Sequence, residues 1–237
     1  MITHPQQSQV ATPDPDEERR RIQTARLLAY RDDGPLLRPL RRVLKGGLPP
    51  APAALASLVA VAAIGAAGLL EPGPMLLVPV LVMVALVGPT APRDHLGRFD
   101  WLAPPLVRGG EFLVLLLVGI TAGAPKWLLF VMIYVVGYHT YDTVYRTRQS
   151  IWPPDWLFMA GLGWEVRLIL VGVGAALGVA TWVIAALTLY LGVLFAVESV
   201  TSWVRLDKAS AQGAESDDLE ASPEEAQEQT TGDAERG

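Results

Sequence analysis

Residues 106–146 read LVRGGEFLVLLLVGITAGAPKWLLFVMIYVVGYHTYDTVYR. Two apolar runs are joined by Gly123-Ala124-Pro125, and every ionisable group except Lys126 lies at the ends away from that turn. A hydrocarbon core about 30 Å thick needs roughly 20 helical residues at 1.5 Å each. Both runs are on that scale, so the stretch reads as two membrane-spanning helices with a tight turn. Working outward, the same criterion predicts six spans, at 52–70, 74–91, 106–123, 126–146, 163–180 and 182–204. Glu71-Pro72-Gly73-Pro74 and Trp152-Pro153-Pro154-Asp155 are strong breaks, because proline lacks a backbone donor and disfavours helix before it. Pro79, inside the second run, predicts a kink.

The composition agrees. The 237 residues are 51% hydrophobic and 18% charged, against about 25% charged in an average soluble domain, which argues against a water-soluble enzyme. The net charge of -5 conceals three segments. Residues 1–48 carry nine Lys/Arg and six Asp/Glu, residues 49–204 seven and eight, and residues 205–237 three and ten. The expected organisation is a basic, partly disordered cytoplasmic head (1–48), an all-α six-helix transmembrane domain (49–204) and an acidic disordered cytoplasmic tail (205–237). The absence of cysteine excludes disulfides, thiolate metal sites and a cysteine nucleophile. The first long apolar run begins near Pro52, too late for a secretory signal peptide, so the N-terminus is expected to be retained.

Orientation follows from Lys/Arg in short loops. With six spans, eighteen of the nineteen Lys/Arg fall on the side of the head, loops 92–105 and 147–162 and the tail, and only Lys126 on the other. Both termini are therefore expected in the cytoplasm, in the inner (plasma) membrane. Trp127 and Trp182 at outer ends, with Trp101, Trp152, Trp156, Trp164 and Trp203 at inner ones, suit interfacial anchoring. From Arg19 to Lys45, basic residues alternate with Ile22, Leu27, Leu28, Leu36, Leu37, Leu40, Val43 and Leu44. This pattern suits an interfacial helix pair on an anionic leaflet. Gly174 and Gly178 are spaced as GxxxG, readable as a homodimer seam or as packing within the bundle; the second reading is preferred.

Ionisable groups inside spans are costly and usually pair with one another or line a wet cavity. Here they are Arg108 and Glu111, then His139, Asp142 and Arg146, then Glu165 and Arg167, and last Glu198. All lie toward the cytoplasmic end and could form one layer. His139, Asp142 and Arg146 share a helical face, beside a stripe of Tyr134, Tyr138, Tyr141 and Tyr145. The first reading is a structural ion-pair network, since three arginines nearly balance four carboxylates. The second is a lipid-headgroup site in which the arginines and tyrosine hydroxyls such as Tyr145 hold a phosphate. The third is a dimetal site.

The blocks LVRGGEFLVLLLVG (106–119), YHTYDTVYRTRQ (138–149), PPDWL (153–157), GLGWEVRLILVG (161–172) and FAVESVTSW (195–203) carry a resemblance. They resemble an uncharacterised actinobacterial membrane domain that closes longer proteins whose preceding parts resemble a nucleotidyltransferase and a CDP-alcohol phosphatidyltransferase. The resemblance covers residues 92–204 and leaves out head and tail. The CDP-alcohol phosphatidyltransferase motif, D-x2-D-G-x2-A-R-x8-G-x3-D-x3-D on a six-helix domain, is absent, since Asp142 is followed by Thr-Val-Tyr-Arg. No catalytic residue carries over. What the resemblance implies is a neighbourhood, phospholipid or envelope-lipid synthesis.

The leading expectation is therefore a non-catalytic membrane module that binds a lipid headgroup or a phosphatidyltransferase-type partner, with no cofactor and no nucleic acid. The alternative is a divergent phosphotransferase acting on CDP-activated lipids through His139, Asp142, Glu111 and Glu198, with Mg²⁺ or Mn²⁺. A small transporter ranks last, because polar groups cluster at one face of the second half rather than at mid-membrane in two similar halves.

Overall fold

A computed structural model describes the backbone of residues 14–43 and 47–234, and side chains as far as Lys208 except those of Arg42 and Leu206. Leu44 and Lys45 of the basic head, its first thirteen residues and the last three of the tail lie outside the described residues. The described chain is all-helical. In order, the helices are α1 (Pro15–Arg31), α2 (Leu37–Val43), α3 (Pro50–Ala66), α4 (Leu77–Val87), α5 (Ala103–Thr121), α6 (Lys126–Arg148), α7 (Asp155–Ala160), α8 (Gly163–Ala176) and α9 (Ala180–Ala234). Short 3₁₀ turns precede α4, follow it and precede α5.

Each of the six predicted runs overlaps a helix, but α3 and α4 are shorter than the runs predicted there, and α6 is not among the described stretches apolar enough to cross a membrane. Three helical stretches are long and apolar enough to cross a membrane: Asp100–Thr121, Asp155–Ala176 and Ala180–Arg205. Pro50–Ala66 and Pro74–Thr90 are shorter apolar helices. The chain is a membrane protein by this measure. The second stretch joins α7 and α8 across a break at Gly161-Leu162 and begins eight residues earlier than the run predicted from 163.

Local chemistry explains the boundaries. Pro104 and Pro105 occupy the first turn of α5, where a missing N–H removes no helical bond. At its far end Gly123 takes φ 76°. There Ala124 N–H donates to Gly119 (2.8 Å) and Gly123 N–H to Ile120 (3.0 Å), a Schellman stop. α8 ends in the same way, with Gly178 at φ 74° and Val179 N–H on Gly174 at 2.7 Å. Gly178 is thus a helix stop, while Gly174 packs where an added Cβ would meet Val183 at 2.6 Å. The GxxxG glycines consequently do not form a continuous helical seam. Pro79 likewise falls in the first turn of α4, after the 3₁₀ turn Pro74–Leu76, where it continues the helix.

The chain divides into two units, residues 1–191 and 192–237. In the first, α3 packs on α4 and α5, α8 on both α4 and α5, and α1 against α5 and α6. Val61, Val80, Met83, Val114, Val118 and Leu168 fill the core between them. The second unit is the continuation of α9. The helix runs on to Ala234, through residues composition reads as a disordered tail. Ala, Glu and Gln there favour helix even where no apolar face is available to bury.

Candidate functional site

The polar layer is assembled around a segment the sequence assigns to the head. α1 ends at Arg31, and Asp32 follows with φ 57°, a left-handed cap that aspartate tolerates better than most residues. This turn carries Arg31, Asp32, Asp33 and Gly34 inward, all buried. Asp32 Oδ2 accepts from Arg167 Nη2 at 2.8 Å and from Arg108 Nη2 at 3.3 Å. Glu111 accepts from Arg167 Nε at 2.8 Å and pairs with Arg108, one turn before it on α5. The remaining Arg167 donor, Nη1, reaches Gly161 O at 2.9 Å. Two arginines and two carboxylates therefore close a ring across α5, α8 and the α1–α2 link. Burial pushes the Asp32 carboxyl upward, but Arg167, Arg108 and His139 outweigh it and hold it below its ordinary value.

A second layer fixes the link itself. Asp33 Oδ1 accepts from Arg31 Nε at 2.9 Å and from Trp164 Nε1 at 3.0 Å, and Arg31 Nη2 donates to Val87 O at 3.1 Å. Glu165 accepts from the backbone N–H groups of Gly34 (2.9 Å), Leu36 (3.3 Å) and Leu37 (3.3 Å). It sits in the first turn of α8 and at the start of α2, so two helix N-termini meet one carboxylate. Three arginines (31, 108, 167) thus face four carboxylates (32, 33, 111, 165), and the surplus one is the carboxylate held by backbone N–H groups.

Close backbone approach makes this possible. A Cβ on Gly34 would lie 2.3 Å from Leu162 O, and one on Gly163 2.2 Å from Gly34 N. Leu162, between the glycine neighbours, takes φ 68°, a strained value for a side chain of its size.

Of the nine candidate site residues, the structure brings Arg108, Glu111 and Arg167 into the ring and sets Glu165 against the link. His139 Nε2 lies 4.0 Å from Asp32 Oδ1. Asp142 and Arg146 pair along α6 at 2.7 Å. Tyr145 is half-exposed and stacked on Tyr141 with ring centres 6.1 Å apart. Glu198 belongs to the second unit, where Ser202 Oγ donates to it at 2.8 Å. Among the described residues, no group of three or more His, Asp or Glu is arranged to hold a metal ion.

Sequence reasoning missed Arg31, Asp32, Asp33 and Trp164. A signal was present: two adjacent aspartates before Gly34-Pro35, flanked by Leu27-Leu28 and Leu36-Leu37, in an otherwise basic stretch. Reading the head for its positive charge alone hid it.

No curated protein and no solved structure matches the chain. A family model matches residues 22–219, so the match begins well before residue 92 and takes in the α1–α2 link. By that match, the chain belongs to a family of unknown function (DUF5941).

Proposed function

We propose that this protein is a non-catalytic integral membrane module of phospholipid or envelope-lipid synthesis, acting beside a phosphatidyltransferase-type partner. The observation that carries the non-catalytic part is the closure of the ring. Asp32 and Glu111 are each shared by Arg108 and Arg167, and Glu165 is occupied by three backbone N–H groups. Carboxylate oxygens committed in this way are poor metal ligands, because drawing them to a metal would strand a buried arginine or N–H group. The ring instead ties the α1–α2 link to α5 and α8 and presents the folded head as one piece. The lipid-synthesis setting rests on the resemblance to a domain that closes CDP-alcohol phosphatidyltransferase fusions. In the full reading six helices span the inner membrane and both termini are cytoplasmic, as the lysine and arginine distribution supports.

Topology is testable directly, because the chain has no cysteine. A membrane-impermeant maleimide should label Gln149→Cys only from the cytoplasmic side, and Glu71→Cys and Lys126→Cys only from the opposite side. For function, depletion should change membrane phospholipid composition, and the tagged protein should co-purify with a phosphatidyltransferase-type membrane protein in mild detergent. Mg²⁺- or Mn²⁺-dependent turnover of a CDP-activated lipid by the purified chain alone would refute the non-catalytic reading.

A further inference from the structure

Next to the closed ring the first unit has an open cleft of about 1100 Å³, between α1, α2, Pro92, the loop Trp152–Pro154 and α7. Its walls are of two kinds. Leu28, Phe158 and Met159 make an apolar side, while Arg38 and Arg41, three apart and so on one face of α2, make a cationic side. Trp152 and Trp156 line it with rings about half exposed, the position such amphipathic rings take at a membrane surface.

The two arginines are held ready in different ways. Arg38 Cζ lies 4.2 Å from the centre of the Phe158 ring, and its Nε donates to Asp33 O at 3.1 Å. Its Nη1 meets only Asp155 Oδ1, at 3.5 Å, and that carboxylate is 98% exposed, so the pair is weak and replaceable. Arg41 is half-buried and has no ion pair or hydrogen bond among the described residues. Burial pulls its guanidinium down from the ordinary value, Arg31 and Arg38 add to this, and Asp33 and Asp94 offset it in part. An anion beside Arg41 would relieve that strain.

We propose that this cleft binds the headgroup of an anionic phospholipid, with Arg38 and Arg41 holding the phosphodiester and the apolar wall taking the start of an acyl chain. Arginine forks suit phosphate oxygens, and basic pockets at the cytoplasmic side of membrane proteins recognise such headgroups. The inference rests on the membrane reading above and adds the site and the lipid class.

The test uses the full chain in phosphatidylcholine nanodiscs carrying a minor fraction of bromine-labelled lipid, which quenches tryptophan on contact. Brominated phosphatidylglycerol should quench several-fold more than brominated phosphatidylcholine, and the excess should vanish in a Trp152→Phe/Trp156→Phe variant. Arg38→Gln/Arg41→Gln should abolish the excess, Arg38→Lys/Arg41→Lys should keep much of it, and Asp155→Asn should enlarge it. The Lys pair and Asp155→Asn separate loss of binding from loss of folding. Equal quenching by the two lipids in a well-incorporated protein would overturn this inference and leave the membrane reading standing. So would an excess unchanged in the Gln pair. Full displacement by millimolar inorganic phosphate would reassign the cleft to free phosphate and overturn the lipid assignment. Failure to enter nanodiscs at all would overturn both readings.

Discussion

The ring takes Asp32 from the α1–α2 link and the cleft is lined by the two helices that this link joins, and both are built from arginine. In the ring, Arg108 and Arg167 are buried and every carboxylate they need is within reach. In the cleft, the one carboxylate that Arg38 meets is solvent-exposed, and Arg41 has none among the described residues. Residue type therefore does not separate a structural arginine from a binding one. What separates them is whether the protein itself supplies a buried carboxylate to the guanidinium.

The sharpest way to break this contrast is Asp32→Ala. It leaves Arg108 and Arg167 to share Glu111 alone in a buried site, and loss of one member of a buried ion pair costs about 3–5 kcal/mol. Chemical unfolding in detergent should show that loss. Because the folded Asp32 carboxyl lies below 3.8, its contribution should be complete above that pH and lost only as the pH falls below it.

Glu165→Ala comes next. It leaves three N–H groups of the link unpaired, at about 1–3 kcal/mol. Limited trypsin digestion should then cut after Arg31 well before it cuts wild type there. If the link stays protected, the carboxylate is not what holds it.

His95 offers a milder test at the edge of the ring layer. It is fully buried, its Nδ1 is 3.1 Å from Arg93 O, and burial and Arg31 hold its pKa below 6.5. The folded form thus binds a proton less readily than the unfolded one. The stability this group contributes is present above about pH 6.5 and declines as the pH falls below it. Melting temperature should drop between about pH 7.5 and pH 5.5, and His95→Gln should flatten that dependence.

Arg38→Gln should have the smallest effect on stability. An exposed pair contributes about 0–1 kcal/mol and the cation–π contact with Phe158 about 0.5–1 kcal/mol, so unfolding should shift by no more than about 2 kcal/mol. A loss as large as that of Asp32→Ala would make the cleft arginine structural and erase the comparison.

How far all this was legible depends on the range of the interaction. The apolar runs, the Gly123-Ala124-Pro125 stop and the shared face of His139, Asp142 and Arg146 are periodicities and local chemistry within one helix, and they read directly from the residues. Arg108 and Glu111 pair within α5 at a spacing the sequence shows, and Asp142 and Arg146 do the same within α6. The GxxxG glycines show the limit of such reading. Their spacing is visible, but the Schellman stop that separates them depends on the backbone path after α8.

The sequence by itself determined a helical membrane protein, its breakpoints and a group of costly charges at one end of its helices, because burial of apolar residues and the placement of Lys and Arg follow local rules. Only the tertiary structure decided which carboxylate meets which arginine. Asp32 is 135 positions from Arg167 and 76 from Arg108. Its place between them depends on a left-handed turn and on two glycines that let backbones approach closely, and no periodicity in the chain encodes that geometry.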